Sequence, residues 1–138
     1  MVPSSVGESR ERRAAVLVVD DDVSIRRMMI AALKRSNDYD FLEAGNGREA
    51  IDLMRREHPS AVVLDLMMPV MSGFDVLHER ATDPELRRIP VIVVSANRAP
   101  EIATAVDKGI CAFLPKPFDI NVLTALVPIC LSTVIETG

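Results

Sequence analysis

Five short, mostly apolar runs recur at residues 15–19, 40–43, 61–64, 91–94 and 111–114, and between them the apolar residues switch to helical spacing. The runs lack the in–out alternation of a half-exposed sheet, as strands covered on both faces do. Ile25, Met28, Met29, Ala32 and Leu33 form a first helical stripe, at i, i+3, i+4, i+7 and i+8. Ala50, Leu53 and Met54 form a second, and Phe74, Leu77 and Ala81 a third. Ala99, Ile102, Ala103 and Val106 form a fourth, and Leu123, Leu126, Val127 and Cys130 a fifth. This alternation predicts an α/β fold: a doubly wound parallel sheet with helices on both faces and right-handed crossovers. A length of 138 residues suits one such domain. Residues 1–13 are polar, with Pro3 and Gly7, and predict a disordered tail that leaves 14–138 as the domain.

The turns are punctuated. Gly45-Asn46-Gly47 opens the second helix; it contains Gly-x-Gly but lacks the third glycine of a dinucleotide fingerprint, so it reads as a tight strand–helix turn. Ser72-Gly73 precedes the third helix and Lys108-Gly109 ends the fourth. Pro128 lies inside the fifth stripe, where it removes a backbone donor and is expected to kink or end the helix.

In an open parallel sheet, ligands bind beyond the carboxyl ends of the strands, where the strand order reverses. The polar residues of interest fall there. Asp20, Asp21 and Asp22 follow the first run, Asp65 the third, Ser95 the fourth and Lys116 the fifth. With strand order 2-1-3-4-5, the first and third strands are neighbours and their carboxylates share one crevice. Two charges about 5 Å apart repel by about 3 kcal/mol at an effective dielectric of 20. A divalent cation relieves that, and Mg²⁺ suits one or two carboxylates plus waters and a phosphoryl oxygen. With the Lys116 ammonium and the Ser95 hydroxyl, the set would stabilise a phosphoryl group in transfer, Asp65 being the nucleophile that forms an acyl phosphate. A lone acid at such a position is ordinarily a helix cap or turn residue. Complementary chemistry at four strand ends points to a site.

The stretches VLVVDDD with SIRR after it, EAGNGREAIDLM, AVVLDLMMPVMSGFDVL, IPVIVVSA and GICAFLPKPF resemble the receiver domain of two-component response regulators over residues 15–131. The resemblance implies a flavodoxin-like (βα)5 fold with order 2-1-3-4-5. It implies that Asp20 and Asp21 bind Mg²⁺ together with Asp65 and the Met67 backbone carbonyl. Asp65 would accept a phosphoryl group from a phosphohistidine on a sensor histidine kinase or a histidine phosphotransfer protein. Ser95 and Lys116 would hold the phosphoryl oxygens, and Lys116-Pro117 would be a cis peptide, the one kind of bond for which cis costs little. Ser95 and Phe113 would form the switch, altering the surface of the fourth helix, fifth strand and fifth helix for a protein partner. Asp22 matches no required position and is expected to meet solvent or cap the first helix. Cys111-Ala112 stands where regulators that dimerise on DNA carry paired acids, so a monomer or a weak phosphorylation-dependent dimer is expected. The chain stops at Gly138, which reads as a stand-alone receiver that is not an enzyme beyond its own phosphorylation and dephosphorylation.

Composition narrows the partners. A net charge of −4 gives no support for nucleic-acid binding, and Arg10, Arg12 and Arg13, interleaved with Glu8 and Glu11, read as a solvated tail. No apolar run is long enough to span a membrane and no secretion signal opens the chain, so a cytoplasmic location is expected. Cys111 and Cys130 are too few and too poorly spaced for a zinc site or a disulfide framework and read as reduced core thiols. His58, in a turn before Pro59, and His78, off the third stripe, read as surface residues. Two rivals stay open. A haloacid-dehalogenase-like phosphatase would use Asp20 as nucleophile and Asp22 as acid/base, but it needs a further acidic pair after Lys116, where only Asp119 occurs, and it leaves Asp65 idle. A pseudo-receiver would share the fold and act without phosphate.

Overall fold

Each apolar run forms a strand, and each strand extends by about one residue beyond the run that predicts it. The computed structural model describes residues 13–95, 103–104, 107 and 109–137. The strands are β1 (Ala14–Val19), β2 (Tyr39–Ala44), β3 (Ala61–Asp65), β4 (Val91–Ser95) and β5 (Ala112–Pro115). All pairs are parallel, and the order is β2-β1-β3-β4-β5. The helices are α1 (Val23–Leu33), α2 (Gly47–Glu57), α3 (Gly73–Thr82) and α4 (Ile120–Thr137), the last being the fifth of the predicted helices. Most of the fourth predicted stripe, including Ala99, Ile102 and Val106, lies outside the described residues; Ala103 is helical and buried.

The two faces of the sheet bury separate clusters. Leu17, Val19, Val62, Leu64 and Val93 pack with Ala50, Ile51 and Met54 of α2 and Val76 and Leu77 of α3. Val16, Val18, Val63, Ile92 and Val94 pack with Met29, Ile30 and Leu33 of α1 and Leu123, Val127 and Cys130 of α4. β3 is buried at every position, as a central strand covered on both faces should be.

The structure corrects three expectations. The buried face of α1 is rotated: Met28 is 50% exposed, and Ile30, outside the predicted stripe, is buried in its place. The helix carries apolar residues on more than one face, so spacing alone does not choose among them. α4 does not end at Pro128 but runs through it as one element. Pro128 is exposed, so water can satisfy the carbonyl it leaves unpaired. Cys111 and Cys130 are not reduced thiols: they are joined in a disulfide, their Cα atoms 6.0 Å apart. α4 returns antiparallel to β5, and that return brings together two cysteines far apart in sequence.

Arg13, read from the sequence as the end of the tail, is tied down. Its guanidinium donates to Asn37 Oδ1 at 3.1 Å and to the Tyr39 carbonyl at 3.2 Å. His58 and His78 are exposed, as expected; His58 ends α2 in the left-handed conformation at φ 49°.

Candidate functional site

The strand order makes β1 and β3 neighbours, and their carboxyl ends deliver the acids to one crevice. Carboxylate oxygens of Asp20, Asp21 and Asp65 lie within 4.8 Å of one another. Asp20 and Asp65 are buried, at 1% and 3% exposure, while Asp21 faces solvent. Lys116 reaches in from the end of β5, its Nζ 3.4 Å from Asp20 Oδ2 and 3.5 Å from Asp65 Oδ1. One ammonium thus partly offsets two buried carboxylates. Ser95 ends β4 and is buried; its carbonyl accepts from the Lys116 backbone N–H at 2.7 Å, which ties the lysine loop to the neighbouring strand. The Lys116–Pro117 peptide is cis.

Local hydrogen bonds aim the acids. Asp20 Oδ1 accepts from the Asp22 N–H at 2.9 Å, and Asp65 Oδ1 from the Met67 N–H at 3.2 Å. Among the described residues, Asp65 Oδ2 takes part in none of these contacts. The Asp65 carboxyl is held above its usual range, chiefly by burial and then by the charge of Asp20; the Met67 N–H and Lys116 oppose the shift without cancelling it. A crowded cluster of hard oxygen donors with one partly exposed side fits a small divalent cation that keeps some of its waters. Met67 itself is 67% exposed.

Asp22 caps α1, accepting from the Ser24 and Ile25 N–H groups at 2.9 and 3.3 Å. That engagement suits its expected role as a cap and removes the free acid/base that the phosphatase reading needs. Sequence reasoning missed Arg26. Its guanidinium donates to the Asp20 carbonyl at 2.6 Å and pairs with Glu43 at 2.7 Å, bracing the β1–α1 turn against β2. Its only sequence signal is a position one helical turn past Asp22.

The loop after Asp65 approaches its neighbours closely. A Cβ on Gly73 would sit 2.4 Å from the Asp65 carbonyl, and one on Gly47 would sit 2.4 Å from the Met71 carbonyl, so side chains at either position would push this loop off the site. Ser72 and Asp75 close a capping box at the start of α3. Between them and Asp65, Val70 holds φ 67° with 87% of its surface exposed. A β-branched residue in the left-handed region stores about 1–3 kcal/mol of strain. Val70→Gly should therefore stabilise the domain by about 1 kcal/mol after the extra chain entropy of glycine is subtracted. Urea denaturation measures this, and a loss of stability would refute the assignment of strain.

Comparison with known proteins agrees with the geometry. Residues 16–128 match the family model of the response regulator receiver domain. Response regulator MprA of Mycolicibacterium vanbaalenii is 39% identical over 112 residues, 80% of this chain and 47% of MprA. The chain thus spans about half the length of the curated relatives it matches. The receiver domain of the Francisella response regulator 1452 is 29% identical, with 91% of this chain and all of that one covered, at a TM-score of 0.76. The receiver domain of the sensor histidine kinase PA1611 of Pseudomonas aeruginosa, whose structure has a magnesium ion in the active site cleft, shares the fold at 24% identity. Its TM-score is 0.74, with 87% of this chain and 98% of that one covered.

Proposed function

The chain belongs to the receiver-domain family of two-component response regulators, and from that premise we propose that Asp65 accepts a phosphoryl group and thereby switches a protein-binding surface. The observation that carries the reading is the meeting of Asp20, Asp21, Asp65 and Lys116 at the carboxyl ends of three strands. Receiver domains take phosphoryl groups from sensor histidine kinases, and a histidine kinase or a histidine phosphotransfer protein is the donor proposed here. Asp65 Oδ2 attacks phosphorus in line; the P–N bond to the donor imidazole breaks, the O–P bond forms, and the imidazole leaves and takes up a proton. Lys116 and Ser95 stand where they can donate to the phosphoryl oxygens.

The acidic cluster fits Mg²⁺ by donor type and spacing, and the same ion is present in the PA1611 receiver. Asp20, Asp21, Asp65 and the Met67 carbonyl would hold it. When bound, it supplies positive charge against the carboxylates and the phosphoryl oxygens. The role is that of a signalling domain, not of a turnover enzyme, and the reading carries a cytoplasmic location with it. No described helix is long and apolar enough to cross a membrane. The engagement of Asp22 as a helix cap weighs against the phosphatase alternative.

Incubating the chain with acetyl phosphate and Mg²⁺ tests the proposal. Intact-mass measurement should show the gain of one phosphoryl group, and no gain where the metal is chelated before acetyl phosphate is added. Absence of any acyl phosphate would favour a pseudo-receiver. For the output, Phe113 is aligned with Val93 and packs partly buried against the cluster that holds α2 and α3. Its ring can report by packing, but it has no terminal hydroxyl to donate. Phe113→Ala should keep phosphoryl uptake and blunt the change in hydrogen exchange that beryllofluoride produces along β5 and α4. An undiminished response in that variant would exclude Phe113 from the switch.

A further inference from the structure

The Cys111–Cys130 bond sits at the end of the molecule opposite Asp65. Cys111 lies just before β5, and its N–H donates to the Val91 carbonyl at 2.9 Å, so it is anchored to the foot of β4. Cys130 lies on the buried side of α4 with Leu123 and Val127 and is fully covered. Leu131, the next residue, lines a cavity of about 430 Å³ beneath the sheet with Ala14, Ser60, Ile89 and Pro90, which places this part of α4 under the strand starts. The bond therefore closes residues 111–130 into one covalent loop containing β5, Phe113, Lys116 and most of the buried face of α4. The Cα separation of 6.0 Å lies in the range that a disulfide spans without moving the backbone.

The geometry points to Cys111 and Cys130 as a thiol–disulfide exchange site that sets how firmly α4 is held to β5, with low-molecular-weight thiols as its reagents. Cys111 is partly exposed and Cys130 is not, so an incoming thiolate attacks the Cys111 sulfur. The S–S bond breaks, a mixed disulfide forms at Cys111, and the electron pair leaves on Cys130, which takes a proton. A second thiol attacks its own kind in the mixed disulfide and frees Cys111. In sum two thiols are oxidised to their disulfide, and two protons and two electrons pass to the cysteines. Cys130 released into an apolar cluster is a poorly solvated leaving group that also sits beside the mixed disulfide, ready to close it again. Monothiols should therefore reduce the folded chain slowly. In a glutathione-buffered compartment disulfides are uncommon and are chiefly redox-sensing or catalytic, so a bond at this position would act as an input separate from Asp65.

The full chain, equilibrated with oxidised glutathione and then with dithiothreitol, tests this by iodoacetamide uptake, melting and hydrogen exchange. The oxidised chain should take up no iodoacetamide when denatured, and the reduced chain should take up two equivalents. Reduction should lower the melting temperature by about 10 °C, because a closed loop of this size constrains the unfolded chain. Exchange should rise along α4 more than along α1, α2 or α3. Cys111→Ser should melt like the reduced chain and ignore dithiothreitol. Two free thiols after oxidised glutathione, or a melting temperature and α4 exchange that reduction leaves unmoved, would overturn the proposal. These readouts do not depend on whether Asp65 takes a phosphoryl group.

Discussion

Asp65→Asn will gain no phosphoryl mass from acetyl phosphate and Mg²⁺, whereas Asp20→Asn will still be modified, more slowly, at Asp65. The amide cannot form the acyl phosphate, and no other described carboxylate has both burial beside Lys116 and an oxygen free of the local contacts. Loss of labelling in Asp20→Asn with retention in Asp65→Asn would instead install Asp20 as nucleophile and restore the phosphatase reading. The same variant carries a stability signature in metal-free buffer. Burial raises the Asp65 carboxyl above its ordinary value of 3.8. A group whose folded pKa is raised contributes its full stability below the unfolded pKa and loses it as pH rises through the folded one. The wild type should therefore melt below Asp65→Asn at neutral pH, and the gap should shrink as the pH falls through the raised folded pKa and be closed once it is below 3.8. Adding Mg²⁺ at neutral pH should raise the wild type more than the variant, since the ion relieves a repulsion that Asn does not have. Equal responses of the two chains to Mg²⁺ would place the cation elsewhere.

The strands and the acidic end of the sheet were legible because their signals are local. A strand buried on both faces reads as a short apolar run, and β3 is buried throughout. Asp20, Asp65 and Ser95 follow such runs directly, and Lys116 follows one after Pro115, so the topology alone carries them to one end. Signals that depend on tertiary partners were not legible. Met28 and Ile30 are both apolar, and only the seating of α1 against β1 and β3 decides which is buried. The cysteine pair is joined across 19 residues by the return of α4, which no spacing rule encodes. Pro128 breaks a helix in principle, but on an exposed face water can replace the missing partner. Val70 follows Pro69 with no hint in its side chain that its backbone is left-handed. Arg80 is the largest omission, since a charged residue in an amphipathic stripe reads as surface.

Arg80→Met will cost about 3–5 kcal/mol of unfolding free energy, the penalty for removing one partner of a buried ion pair. Arg80 is 3% exposed and pairs with Asp107, also 3% exposed, at 2.5 Å. Its other donors reach the Ile89 carbonyl at 2.8 Å and the Arg87 and Gly109 carbonyls at 3.2 Å. One guanidinium thereby gathers the end of α3, the turn before β4 and the turn before β5 at the foot of the sheet. Lysine has no planar fork and cannot serve four acceptors at once, so Arg80→Lys should recover only part of the loss. Methionine leaves the Asp107 carboxylate buried without its cation, although Oδ1 still accepts from the Gly109 N–H at 2.8 Å. Since most of the cost is that stranded charge, the double variant Arg80→Met with Asp107→Ala should be more stable than Arg80→Met alone. For a domain with a total stability of about 5–15 kcal/mol, the single substitution consumes a large share. Urea denaturation of the wild type, Arg80→Met, Asp107→Ala and the double variant closes the cycle. Purely additive losses would show that Arg80 and Asp107 act independently. In whatever fraction of Arg80→Met stays folded, phosphoryl uptake at Asp65 should proceed as in the wild type, because the pair braces the opposite end of the strands.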